Sequence, residues 1–87
     1  MKAYKLESIN RSRLRIELKN GQTRNGYLNS IWHSTGLEII PFGHNQRSHF
    51  IAASLIDKIL YLDEYGLVFA RGFYPWNNER AKESLKS

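Results

Sequence analysis

The chain has 87 residues, of which 41% are apolar, 13% aromatic and 24% charged, and it contains no cysteine. This length predicts one domain over residues 1–87, and the composition excludes a disulfide scaffold, a thiolate zinc site and an intrinsically disordered chain. No apolar run approaches the roughly 20 residues that span a bilayer, and no apolar signal-peptide core follows the N-terminus, so we expect a cytoplasmic protein.

The net charge of +5 is concentrated in the first third of the chain. Residues 1–30 contain seven basic and two acidic residues, whereas residues 31–60 and 61–87 are each neutral overall. A localised basic surface is typical of a protein that binds a polyanion. The same charge also suits a small soluble domain that binds no polyanion.

The first predicted elements are a short helix and a hairpin. Residues 3–10 can form a helix whose length makes it marginal on its own. Leu14, Ile16 and Leu18 then alternate with charged residues, which predicts a half-buried strand. The pair Asn20-Gly21 follows directly and accepts positive φ at both positions, so it predicts a tight hairpin turn.

The second predicted strand runs from Gln22 to about His33. Gly26 inside it indicates a bend or a close approach of another backbone. The apolar residues after Gly26 do not alternate strictly, which predicts a bulge near Asn29-Ser30.

A turn at residues 34–36 precedes a third apolar strand, Leu37–Phe42, and residues 43–49 form a polar loop. Residues 54–62 fit two structures: a helix with a capping box, or one turn followed by a strand from Lys58 to Leu62. A turn at 63–66, a strand at 67–72 and a helix over 78–86 complete the prediction.

Two segments of the chain resemble the motifs of Sm-like proteins. The sequence Leu14-Arg15-Ile16-Glu17-Leu18-Lys19-Asn20-Gly21 followed by Gly26-Tyr27-Leu28 resembles the first Sm motif, and Ile56–Leu62 resembles the second, in which a short turn leads into the closing strand. The resemblance covers residues 4–62 and implies the family's N-terminal helix, a small barrel, RNA binding and a ring-shaped oligomer.

The base-binding residues of this superfamily are not matched. Trp32 and Gly36 stand where Sm proteins carry the Asp and Asn of their base pocket. Ala53-Ser54 stands in place of the Lys-His pair of the bacterial Hfq branch. The chain is also similar in size and in its first hairpin to the Rof family, Sm-like inhibitors of the Rho terminator that bind through an acidic surface. The hairpin of this chain is basic.

We therefore expect a mainly β, Sm-like or SH3-like small barrel of about five strands, with a short N-terminal helix. The Sm-like core spans residues 4–62, and a C-terminal strand and helix extension covers 63–87. The sequence contains no Gly-x-Ser-x-Gly elbow, glycine-rich phosphate loop or metal-ligand spacing, so we predict no enzyme, metal or cofactor.

Two functions fit this expectation. The first is a non-enzymatic RNA-binding or regulatory module, in which basic and loop side chains contact single-stranded nucleic acid. The predicted contact residues are Arg13, Arg15, Lys19, Arg24, His44, Asn45, Arg47 and His49. The second is a protein-interaction module, such as a Rof-like termination inhibitor or a mobile-element accessory protein. Its predicted interface residues are Phe73, Tyr74 and Trp76, because interface anchors are often aromatic.

Overall fold

A computed structural model describes residues 2–6, 11–32, 35–43 and 46–73. These residues form seven strands in one sheet, with the order β1-β7-β6-β2-β3-β4-β5. The strands are β1 (Lys2–Lys5), β2 (Arg13–Leu18), β3 (Thr23–Trp32), β4 (Gly36–Pro41), β5 (His49–Ala52), β6 (Ile56–Leu62) and β7 (Val68–Phe73). A 3₁₀ turn over Ala53–Leu55 joins β5 to β6. The mainly β class is therefore confirmed.

The expected small barrel of about five strands differs from what the described residues form, which is one sheet of seven strands that does not close into a barrel. The sheet has seven strands, and β1 and β5 lie at its two edges rather than pairing with each other. One face nevertheless forms a single core cluster: Leu6, Leu14, Ile16, Leu28, Leu37, Ile39, Ile51, Ile56, Ile59, Tyr61 and Ala70. Because one sheet buries all of these side chains, it must curl around its own apolar face.

The expected helix over residues 3–10 is wrong for the part that the structure describes. Residues 2–5 form β1, which pairs in parallel with β7, and the following Leu6 is buried. Its backbone N–H donates to the Phe73 carbonyl at 3.0 Å. A helix this short is weak alone, and pairing with β7 satisfies the backbone instead. Residues 7–10 lie outside the described residues, as does the predicted helix over 78–86.

The first hairpin is confirmed, but its turn differs from the predicted one. Leu18 N–H donates to the Gln22 carbonyl at 2.8 Å, which leaves a three-residue loop. Only Gly21 in this loop has positive φ, at 90°. The Asn20 side-chain oxygen instead accepts from Gln22 N–H at 2.9 Å. This is the common three-residue hairpin loop with a left-handed glycine.

Two predicted irregularities of the second strand are confirmed. The register between β3 and β4 shifts between Leu28 and Ser30, so Asn29 is the extra residue of a bulge. Gly26 lies opposite Pro41 on β4, and a Cβ at Gly26 would lie 2.5 Å from the Ile40 carbonyl oxygen. The glycine therefore permits a close approach of the two backbones.

Residues 54–62 adopt the second of the two structures left open by the sequence. The 3₁₀ turn leads into β6, which pairs with β2 on one side and with β7 on the other. Within the described part of the chain, no helix has the length and apolarity needed to cross a membrane.

Candidate nucleic-acid interface

The pleat of the strands divides the side chains between two faces. Leu14 and Ile16 are fully buried in the core, so the alternate residues Arg13 and Arg15 leave β2 on the opposite side. We call this side the outer face.

The register brings a second arginine to the same face. Arg15 lies opposite Leu60 on β6, and Leu60 lies opposite Arg71 on β7. Residues directly opposite each other share a face, so Arg15 and Arg71 flank the half-buried Leu60. Their backbones are two strands apart, or about 10 Å at the usual strand spacing. We call Arg13, Arg15 and Arg71 the arginine cluster.

The described contacts of Arg13 and Arg15 involve neutral groups. The Arg15 Nε donates to the Asn25 side-chain oxygen at 3.3 Å. The Arg13 guanidinium carbon lies 5.7 Å from the centre of the Tyr27 ring, a cation–π contact. These contacts orient both arginines without cancelling their charge, and both groups retain donors for an anion.

Aromatic rings continue from the arginine cluster along the outer face. Tyr27, which lies opposite Arg13, packs edge-to-face against Phe42 with 4.9 Å between the ring centres. Phe42 is 40% exposed. Exposed rings beside cations are the combination that binds single-stranded nucleic acid, because bases stack on the rings and phosphates pair with the cations.

A shallow crevice of about 170 Å³ lies beside Arg71, and Asp57, Lys58 and Phe73 line it with Arg71. Lys58 also lies opposite Glu17 on β2. Asp57 and Glu17 thus offset Lys58 and Arg71 at this end of the face, and the uncompensated positive charge lies at Arg13 and Arg15.

The structure separates Arg24 and Lys19 from the arginine cluster. Arg24 lies opposite the buried Ile16, so its side chain leaves β3 on the inward side, where it extends past the core into solvent. It donates to the Gln22 side-chain oxygen at 2.8 Å. Lys19 is exposed in the turn after β2, beyond the register shift at Glu17/Leu18.

The predicted loop contacts also lie apart. Arg47 precedes β5 and His49 begins it, and both are exposed. Strand β5 is three strands from β2 in the sheet, or about 14 Å at the usual spacing. His44 and Asn45 lie outside the described residues.

Of the predicted partner interface, only Phe73 is described. It is half-buried at the end of β7, and its carbonyl accepts the hydrogen bond from Leu6. Tyr74 and Trp76 lie outside the described residues. Exposed apolar side chains occur instead around the β6–β7 turn: Tyr65 is 79% exposed, Leu67 64% and Phe69 55%.

The sequence reasoning missed Arg71, Leu60 and Tyr27 as parts of one surface. Arg71 is hidden in a C-terminal third whose charges cancel. The alternation of β7 could have indicated that Arg71 points away from the core, because Ala70 beside it is fully buried. The proximity of Arg71 to Arg15 depends on the pairing of three strands, which no local sequence pattern indicates.

No protein-family model, curated protein or solved structure matches this chain. Among the described residues, no three His, Asp or Glu side chains are grouped as they would be around a metal ion.

Proposed function

We propose that this chain is a non-enzymatic, Sm-like module that binds single-stranded RNA on the outer face of its sheet. The observation that carries the proposal is the strand pairing that sets Arg15 and Arg71 on either side of Leu60, with Arg13 on the same face. The arginines would hold phosphates, and Tyr27 and Phe42 would stack with bases.

Two features of the chain trace support the Sm-like part of this proposal. The strand of the first motif, β2, forms a hairpin with β3, which contains Gly26 and the bulge at Asn29. The second motif begins after a 3₁₀ turn and enters β6, which pairs directly with β2. A short turn into a closing strand is the arrangement that the resemblance implies.

Self-association belongs to the same proposal. Strand β6 is paired on both sides, so the edges open to a second copy are β1 and β5 in the described sheet. Pairing between subunits is one way in which proteins cover such edges.

The test is fluorescence anisotropy of a labelled single-stranded RNA, titrated with the protein at low and near-physiological salt, with light scattering on the same samples. Three phosphate contacts predict a slope of log affinity against log salt of about −2, from about −0.7 per contact. Arg15→Gln and Arg71→Gln should each weaken binding roughly 5- to 10-fold at low salt and reduce that slope by about 0.7.

Arg24→Gln is the matched control, because it removes the same charge from the other face. It should change affinity less than either outer-face variant. Equal losses of RNA affinity in all three variants would mean that binding depends only on the net charge of the chain. No binding at low salt would reject the proposal.

A protein-interaction module is the second candidate, and the exposed side chains of the β6–β7 turn favour it. The carboxylate of Asp63 accepts from the backbone N–H groups of Tyr65 and Leu67 at 2.8 and 2.9 Å, so hydrogen bonds order the backbone of this turn. An exposed aromatic side chain on an ordered turn is a typical interface anchor. This candidate predicts no RNA affinity at low salt. It also predicts that the arginine variants bind the protein partner as well as the unaltered chain does.

A further inference from the structure

A carboxylate lies between two exposed aromatic residues at the other end of the outer face. Glu38 is on β4, opposite Ser30 of β3 and Phe50 of β5. Two neutral donors hold its carboxylate: Asn29 Nδ2 to Oε2 and Trp32 Nε1 to Oε1, both at 3.2 Å. Asn29 is the extra residue of the β3 bulge, so the bulge supplies one of the two donors.

The aromatic residues flank this carboxylate on both neighbouring strands. Trp32 on β3 and Phe50 on β5 are each 53% exposed. Between them lies Gly36, where a Cβ would be only 2.8 Å from Phe50 Cζ. The missing side chain therefore lets the Phe50 ring lie across β4, towards the strand that carries Trp32. We call Trp32, Glu38 and Phe50 the aromatic–carboxylate cluster.

The hydrogen-bonding capacity of Glu38 specifies the ligand that would fit there. An ionised carboxylate has about four acceptor positions, and the Asn29 and Trp32 bonds use two of them. Within the described contacts, one position on each oxygen is left, which suits a flat group with two adjacent N–H donors. The Watson–Crick edge of guanine has this pair, at N1 and at the exocyclic N2. Uracil has one N–H between two carbonyl oxygens, which a carboxylate repels.

An arginine side chain of a partner protein also presents two parallel N–H donors to a carboxylate. Charge decides between the two ligands. The chain carries a net charge of +5, and the arginine cluster lies on the same face. The backbones of Arg13 and Glu38 are about 12 Å apart, since two strands and two residues separate them. This field attracts a polyanion and repels an arginine-rich peptide.

We propose that Trp32, Glu38 and Phe50 form a subsite that binds a guanine base of single-stranded RNA. The proposal rests on the function proposed above, because the arginine cluster would hold the phosphates of the same strand. The exposed rings would stack with the base while Glu38 accepts from its N1–H and N2–H groups.

The experiment compares affinities for a short all-uridine RNA with those for the same RNA carrying one central guanosine, adenosine, cytidine or inosine. The guanosine strand should bind roughly tenfold more tightly than the uridine strand. Inosine lacks only the N2 amino group, so its strand should lose most of that gain. This comparison uses the unaltered protein and does not depend on whether a variant folds.

The variant Glu38→Gln should abolish the preference for guanosine and leave affinity for the all-uridine strand unchanged or slightly raised. Glu17→Gln is the matched control, since it removes a carboxylate from the same face but away from the cluster. It should retain the guanosine preference. Circular dichroism melting of both variants shows whether each is folded at the assay temperature.

The outcomes separate this inference from the proposed function. Binding that depends on Arg15 and Arg71 but is equal for guanosine and uridine overturns the guanine subsite alone. A guanosine preference that survives in folded Glu38→Gln also overturns the guanine subsite. The same conclusion follows if the protein binds an arginine peptide more tightly than the guanosine strand and this binding depends on Glu38. No RNA binding at low salt overturns both proposals.

Discussion

Replacing Gly26 by alanine should destabilise the domain strongly, although alanine suits an extended backbone. A Cβ at this position would lie 2.5 Å from the Ile40 carbonyl oxygen, 2.9 Å from the Ile40 carbonyl carbon and 3.1 Å from Pro41 Cα. All three neighbours are backbone atoms of β4, so no side chain can rotate away. The strands would have to separate by about 1 Å to restore an ordinary contact distance.

Overpacking of this kind costs about 1–3 kcal/mol, and the rigid neighbours place Gly26→Ala at the upper end. A loss of about 3 kcal/mol corresponds to a fall in Tm of about 12–24 °C for a domain of this size. The measurement is thermal unfolding by far-UV circular dichroism, with urea unfolding followed by tryptophan fluorescence as the second probe.

Gly66→Ala separates the steric effect from the general cost of replacing a glycine. Gly66 has a φ of 84° in the β6–β7 turn, and a Cβ there meets nothing within 4 Å. Its substitution should cost about 1–2 kcal/mol through backbone strain alone. If Gly26→Ala is no more destabilising than Gly66→Ala, the close approach of β3 and β4 at Gly26 is refuted.

Two further predictions concern the β6–β7 turn and the core. Asp63→Ala should lower the free energy of unfolding by about 1–2 kcal/mol, because the backbone N–H groups of Tyr65 and Leu67 lose their acceptor. Asp63→Asn keeps an acceptor oxygen and should recover most of this free energy. Equal urea midpoints for the two variants would contradict this role of Asp63. Leu28→Ala should cost about 2–5 kcal/mol in the same assay, because Leu28 is fully buried. The matched change Leu67→Ala, at a side chain that is 64% exposed, should stay within about 0.5 kcal/mol, and similar losses at both positions would argue against the assigned core.

Local patterns were sufficient for the first hairpin, and for the close backbone approach and the bulge of the second strand. Strict alternation over β2, a glycine at the turn and a glycine inside β3 each report on the backbone within a few residues. The positions of Arg13 and Arg15 on an exposed face followed from the same alternation. These features depend on periodicity and on allowed φ, which the sequence expresses directly.

The stretch 54–62 was ambiguous for a reason that the structure makes clear. Ile56 and Ile59 are both buried although they are three residues apart, a spacing typical of a helix. The register between β2 and β6 shifts at this point, so Asp57 is an extra residue in the strand. A bulge changes the period from two to three locally, and this imitates a helical face.

The sequence by itself determined the β class, the first hairpin and the outward position of two arginines. Only the tertiary structure decided that residues 2–5 form a strand beside β7, that the described sheet stays open, and that Arg24 is separated from Arg15. It also decided that Arg71 lies on the same face as Arg15, across Leu60, and that Trp32 and Phe50 flank Glu38. These arrangements depend on which strands pair and in which register, and a sheet of long-range pairs satisfies its backbone hydrogen bonds only when the whole chain has folded.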